Sequence, residues 1–259
     1  MTQQLLMIAR AAGSAILAVY QEGPLQVVHK ADCSPVTTAD LAAHRVLEAG
    51  LRYLLPDCPV VSEEDPASHL YRQQHGRFWL IDPLDGTKEF IARNGEFTVN
   101  IALVENGRSV LGVVYAPALE ALYWGGAGVG AFRCVRGQTV SLRVATPSAQ
   151  SACRVVASKS HLNAPTQSLI AALGDALGAV SLVQAGSSLK FCRIAEGAAD
   201  IYPRLAPTCE WDTAAAQAVL EGAGGSVLDL QRRPLHYGKS ELLNPSFIAT
   251  CDPALIPHD

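Results

Sequence analysis

The sequence has little that would let it act through charge alone. Its 259 residues hold 20 lysines and arginines against 24 aspartates and glutamates, a formal net charge of -4. No basic excess exists to neutralise a nucleic-acid backbone or an anionic membrane, so no nucleic-acid polymer is expected as a partner and an anionic ligand must be captured locally. Cysteine is poorly arranged for cross-linking: Cys33, Cys58, Cys134, Cys153, Cys192, Cys209 and Cys251 are an odd number, widely spaced, without a Cys-x-x-Cys pair. That argues against a disulfide framework and a zinc site, and fits a reducing cytoplasm. Long apolar runs are also missing. The opening MTQQLLMIARAAGSAILAVY lacks the cationic start and cleavage site of a secretory signal. Its Leu5, Ile8, Ala9, Ala12 and Ile16 recur at helical spacing, which predicts an amphipathic helix packed on the core. The later stretch at residues 169–185 is interrupted by Asp175 and two glycines, so no stable membrane insertion is expected. A cytoplasmic location is the expectation, with loose attachment to the inner membrane, and the choice between monomer and homodimer, left open.

What is present is ample core material, 49% hydrophobic residues, and a clear change of rhythm. The first half predicts the opening helix, a second helix over TTADLAAHRVLEAGLRYLL, and strands at CPVVS and RFWLID. FTVNIALV and RSVLGVVYA are joined by Glu-Asn-Gly, a hairpin signal because Asn and Gly tolerate positive φ. ALYWGG, GAFRCV and VSLRVAT follow as strands, with GAGVG as a turn. From residue 153 strands and helices alternate as far as WDTAAAQAVLEGAGG, which favours an α/β layered arrangement. Any boundary near residues 145–152 is expected to be a tight interface, with both halves building one site.

Residues 80–90 read LIDPLDGTKEF. Pro83 fixes its own φ and disfavours a helical Asp82, so the two aspartates are expected on a turn at a strand end. Such a turn can bring two carboxylates and the Leu84 carbonyl to one point, the all-oxygen arrangement that hard divalent cations want. Gly86 lets the backbone approach a ligand closely, and the N–H groups of Gly86 and Thr87 could point at phosphate oxygens. An ordinary Asp-Gly turn would carry the same residues. Other acids stand where α/β proteins place sites: Glu63 and Glu64 end a strand, Asp40 begins an early helix and Asp212 a late one. Asp40 and Asp212 are equally suited to capping those helices. GSSLK puts Ser187 and Lys190 near a helix N-terminus and YPRL puts Arg204 after a strand, a set able to hold a phosphate. N-capping by Ser187 and a solvated helix face for Lys190 are the plainer alternatives.

Taken together, SEED at 62–65, WLIDPLDGTKEF at 79–90 and WDTAAA from Trp211 resemble the lithium-sensitive, magnesium-dependent phosphatase superfamily that includes inositol monophosphatases and fructose-1,6-bisphosphatases. SPVTTAD, GEFTVNIALV, GVVYAP, GSSLKFC and YPRL are similar to its bacterial 3'(2'),5'-bisphosphate nucleotidase subgroup, over essentially the whole chain. Ala216 departs from that pattern, which has glycine there. The resemblance implies a sugar-phosphatase fold of alternating α-β-α-β-α layers. Residues 1–150 would form a metal-binding α+β half, and residues 151–259 an α/β half carrying the substrate phosphate and nucleoside site and Asp212.

The same resemblance implies that Glu63, Asp82, Asp85 and Asp212, with the Leu84 carbonyl, hold two or three Mg2+ ions. Thr87 and Glu63 would orient the attacking water, and Asp40 would accept a hydrogen bond from the Thr87 hydroxyl. Glu63, Leu84, Gly86, Thr87 and Asp212 would also face the substrate. Ser187, Lys190 and Arg204 would bind the retained phosphate, and His161 in SKSH would lie beside the nucleotide. The implied reaction removes the 3'-phosphate of adenosine 3',5'-bisphosphate, giving AMP and phosphate, with the sulfated analogue as a second substrate. An inositol monophosphatase or other sugar phosphatase is the competing reading. A catalytically silent nucleotide or metal sensor is another, marked by loss of a carboxylate ligand, and none of the four is missing.

Overall fold

The computed structural model describes residues 1–21, 27–29, 35–147, 151–157 and 163–256. In chain order its elements begin with α1 (Thr2–Gln21), β1 (Val27–His29), β2 (Pro35–Thr37), α2 (Thr38–Leu54), β3 (Val60–Ser62), α3 (Tyr71–Gln74), β4 (Arg77–Asp85) and α4 (Thr87–Ile91). There follow β5 (Thr98–Glu105), β6 (Arg108–Ala116), β7 (Ala121–Gly126), β8 (Gly130–Val135), β9 (Gln138–Leu142), β10 (Cys153–Ala157), α5 (Ala164–Leu177) and β11 (Val180–Gln184). The chain closes with α6 (Leu189–Ala195), β12 (Ile201–Arg204), α7 (Ala214–Gly222), β13 (Ser226–Asp229) and β14 (Phe247–Thr250).

Five layers result, as the sequence reading anticipates. α1 and α2 cover one face of a seven-stranded sheet in the order β3-β4-β5-β6-β7-β8-β9. α6 and α7 lie between it and a five-stranded sheet, β11-β10-β12-β14-β13, whose outer face α5 covers. A sheet covered on both faces has no solvated side, and this explains why Phe78–Leu84 and 98–104 read as near-continuous apolar runs rather than alternating ones. α1 buries Leu5, Leu6, Ala9, Ala12 and Ile16. Among the described residues it is the one helix long and apolar enough to cross a membrane, by length and composition only. The core between the sheets takes residues from both halves, including Val61, Ala102 and Val114 from the first and Phe191, Val219 and Phe247 from the second.

Local chemistry explains the element ends. Thr37 caps α2 in a reciprocal box with Asp40, and Asn106 and Gly107 turn the β5–β6 hairpin at φ of 49° and 78°. One expectation needs correcting. The aspartate pair does not follow its strand on a turn: β4 runs through to Asp85, with Asp82 opposite Asn100 and Asp85 opposite Thr98. Two residues, Pro83 and Leu84, thus oppose the single Val99 in a bulge, which accommodates a proline that has no N–H for the ladder. Beyond α7 the chain adds strands rather than another α-helix. β13 and β14 form an antiparallel pair, and β14 lies beside β12. Their partners are distant in sequence and each is four residues long, so local pattern gives little warning.

Candidate active site

β3 and β4 pair in parallel with Ser62 opposite Ile81, so the next residues along, Glu63 and Asp82, emerge side by side. Asp212 arrives from the second half. It is the last residue of a 3-10 turn, Glu210–Asp212, two residues before α7 begins, and its carboxylate accepts the Cys209 N–H at 2.8 Å. A capping bond and a place in the site thus coexist on one side chain. Glu63, Asp82 and Asp212 each offer an oxygen within 4.8 Å of the others. They line a cavity of about 370 Å³ together with Thr87, Lys190 and Arg204.

Three carboxylates this close oppose one another's ionisation. Burial, then Glu63, Asp85 and Asp212, push the Asp82 carboxyl well above its usual range. Burial, followed by Asp85 and Glu63, pushes Asp212 up to about 8. A divalent cation relieves both effects at once, and a donor set made only of oxygens suits a hard ion rather than zinc. The residues present therefore fit a magnesium-type site.

Asp85 lies outside the 4.8 Å group, although it lines the same cavity. Beyond the bulge its Oδ2 meets the N-terminus of α6, accepting the Ser188 N–H at 2.7 Å, the Ser188 hydroxyl at 2.8 Å and the Ser187 hydroxyl. Thr98 Oγ1 and Asn100 Nδ2 donate to the same Oδ2, at 3.4 and 3.3 Å. Ser187, in the left-handed region at φ 50°, also bonds the Thr98 hydroxyl at 2.6 Å. It is thus engaged within the protein, and it does not act as the N-cap, a position held by Ser188.

Ser188, Asn100 and Thr98 were not singled out from the sequence. Asn100 Nδ2 donates to Ser188 Oγ at 2.7 Å, and that oxygen also lies 3.1 Å from the Asp212 carbonyl. One signal could have found two of the three: Thr98 and Asn100 are polar residues at alternate positions of an otherwise apolar strand, facing the same side.

Asp40 also does two things. Its Oδ2 accepts the Thr37 N–H at 2.7 Å and the Thr37 hydroxyl at 2.6 Å, closing the capping box, while its Oδ1 lies 3.4 Å from the Thr87 hydroxyl. Burial raises its pKa, and the Thr37 bonds oppose that rise. Thr87 Oγ1 is equally 3.4 Å from the Leu84 carbonyl. Gly86 holds φ 90°, a left-handed conformation that glycine adopts without strain.

Lys190 does not lie on a solvated face. It is 8% exposed, borders the cavity and sits 5.6 Å from the centroid of the Tyr202 ring. Burial lowers its pKa, and Asp85 counteracts this while Arg204 adds to it. Arg204 ends β12, lines the same cavity and donates to the Ala206 and Pro207 carbonyls at 3.2 Å each. Cys192 is wholly buried, as a small apolar residue would be. His161 lies outside the described residues.

A five-layered fold with an acidic cluster between its two large sheets defines the class. The chain belongs to the inositol monophosphatase family, whose pattern matches residues 1–256. Members of that family are metal-dependent, and the Glu63, Asp82 and Asp212 group could bind a metal ion. Within the family, the chain is 49% identical over 250 residues to the 3'(2'),5'-bisphosphate nucleotidase CysQ of Escherichia coli K12, covering 95% of this chain and 98% of that one. It is 48% identical to the CysQ of Salmonella typhimurium LT2, covering 96% and 99%. Among solved structures, CysQ from Bacteroides thetaiotaomicron superposes with a TM-score of 0.85 at 41% identity, covering 96% and 97%.

Proposed function

We propose that this chain is a magnesium-dependent 3'(2'),5'-bisphosphate nucleotidase that hydrolyses adenosine 3',5'-bisphosphate to AMP and phosphate and also accepts the sulfated analogue. The observation that carries this reading is a buried lysine and an arginine sharing one cavity with a cluster of carboxylates. Cations serve a phosphate that stays, beside ligands for ions at the phosphate that leaves. The names of the relatives 48–49% identical over nearly the whole chain support the same reaction. In this scheme residues 1–150 hold most of the metal ligands, and residues 151–259 supply Asp212 and the contacts to the retained part of the substrate.

Glu63, Asp82, Asp85 and Asp212, with the Leu84 carbonyl, would hold two or three Mg2+ ions. Bound there, Mg2+ supplies Lewis-acid stabilisation of the charge that builds on the attacking and leaving oxygens. Glu63 and the Thr87 hydroxyl orient the attacking water. Asp40, accepting from Thr87, leaves that hydroxyl a better acceptor for the water's proton. The Gly86 and Thr87 N–H groups face the phosphate being removed, while Lys190, Arg204 and Ser187 hold the other. His161 flanks the nucleoside.

Parallel assays of phosphate release from adenosine 3',5'-bisphosphate and inositol 1-phosphate test the assignment. The nucleotide should be clearly preferred, EDTA should abolish turnover and Li+ should inhibit it. Preference for inositol 1-phosphate would make this an inositol monophosphatase, and metal-independent or absent turnover would point to other chemistry or a sensor. Asp40→Asn and Thr87→Ala should each lower kcat by at least about tenfold with unchanged circular dichroism. An unaltered kcat in either would remove the relay.

A further inference from the structure

Glu210, two residues before Asp212, is a wholly buried carboxylate that the proposed mechanism does not use. Its Oε2 accepts the Gly238 N–H at 2.9 Å, its Oε1 accepts the Lys239 N–H at 3.1 Å, and the Lys239 ammonium bonds Oε1 as well. On the other side stands Arg72 of α3, 5% exposed, with Nη1 3.9 Å from Oε2. Arg72 also donates to the Lys239 and Ser240 carbonyls. Three residues before it in the chain, His69 bonds the Ser62 carbonyl through Nε2 at 2.9 Å and packs its ring on Trp211, centroids 5.0 Å apart.

These contacts span the two sides of the carboxylate cluster. His69 touches Ser62, next to Glu63, and Trp211, next to Asp212, while Arg72 and Lys239 grip Glu210 on the Asp212 side. A buried ion pair is a poor source of stability, because desolvating the charges cancels most of their attraction. What it does supply is a fixed geometry. Mutually repelling carboxylates otherwise drift apart when no cation holds them, and every ångström of drift must be recovered on binding.

We propose that Glu210, clamped by Arg72 and Lys239, is a positioning residue that sets the separation of Glu63 and Asp212 and thereby the affinity of the site for Mg2+. The inference rests on the reading that those two carboxylates share an ion. Glu210 touches neither ion nor substrate. It acts through the turn that carries Asp212.

The test is calorimetric titration of Mg2+ into the full-length protein without substrate, beside melting temperatures in EDTA and kcat at saturating Mg2+. Glu210→Gln should weaken Mg2+ binding about tenfold, with kcat at saturating Mg2+ within about twofold of wild type. Lys239→Met, at a partly exposed position, should weaken binding at least about threefold and decides the matter if Glu210→Gln does not fold. Arg154→Met serves as control, since it breaks the remote Arg154–Asp200 pair and should leave Mg2+ affinity unchanged. Affinities within about twofold of wild type in the folded variants would overturn the proposal, as would equal weakening in Arg154→Met or failure of both cluster variants to fold. A wild-type protein that binds no Mg2+ would instead sink the metal reading beneath it.

Discussion

Asp82→Asn is expected to lower kcat/KM by at least about a thousandfold, a loss of about 4 kcal/mol of transition-state stabilisation, while making the metal-free protein more stable. The two effects have one cause. Asp82 is 2% exposed and faces Glu63, Asp85 and Asp212, so its charge is an asset only when a cation is present to share it. The amide removes that charge and keeps the shape. In EDTA the variant should therefore melt higher, by roughly 2–4 °C for each kcal/mol of repulsion relieved. Added Mg2+ should raise the melting temperature of the wild type and not that of the variant.

The pH dependence has a definite sign. Asp212 titrates near 8 in the folded protein against 3.8 for an ordinary aspartate, and Asp82 moves in the same direction. A carboxyl whose folded pKa is raised binds its proton more tightly when folded. Its contribution to stability is therefore complete below about 4 and is lost as pH rises towards 8. In EDTA the wild-type melting temperature should fall between pH 5 and pH 8, and the fall should be smaller in Asp82→Asn. A wild-type melting temperature that rises over this interval, or a fully active Asp82→Asn, would contradict the cluster as the seat of catalysis.

Lys190→Met is expected to lower kcat/KM for adenosine 3',5'-bisphosphate by about a hundredfold, close to 2.7 kcal/mol, and that for a simple phosphomonoester by less than about threefold. Lys190 is buried against the Tyr202 ring, and beside it Asp85 and Arg204 act on its charge in opposite directions. A desolvated ammonium is worth most to a ligand charge that enters the same water-poor space. Methionine retains most of the apolar stem and loses the ammonium, with its charge and its N–H donors. Kinetics on both substrates at several Mg2+ concentrations separate the outcomes: equal losses on both would place Lys190 with the metal site rather than with the retained phosphate.

Much of the site could be read along the chain because its parts sit where local rules put them. Thr37 and Asp40 obey helix-capping chemistry and Gly86 is the residue that a φ of 90° permits, whereas the stretch from Asp82 to Asp85 reads along the chain as a turn and proves to be a bulge inside β4. Ser188 and Asn100 were not legible in this way. Their role at Asp85 depends on α6 meeting β5 across the space between two sheets, 88 positions apart in sequence. Glu210 was invisible for the same reason, since its partners Arg72 and Lys239 come from segments with no periodic pattern to locate them.

The sequence by itself determined the layered class, the carboxylates available for hard cations and the limits on charge and cysteine, because composition and short-range periodicity are properties of neighbouring residues. Only the tertiary structure decided which acids meet. It joined Glu63, Asp82 and Asp212 within 4.8 Å, turned Asp85 Oδ2 towards Ser187 and Ser188, and buried Lys190 beside the cavity. Such distances are set by how sheets and helices from opposite ends of the chain pack, and no local rule carries that information.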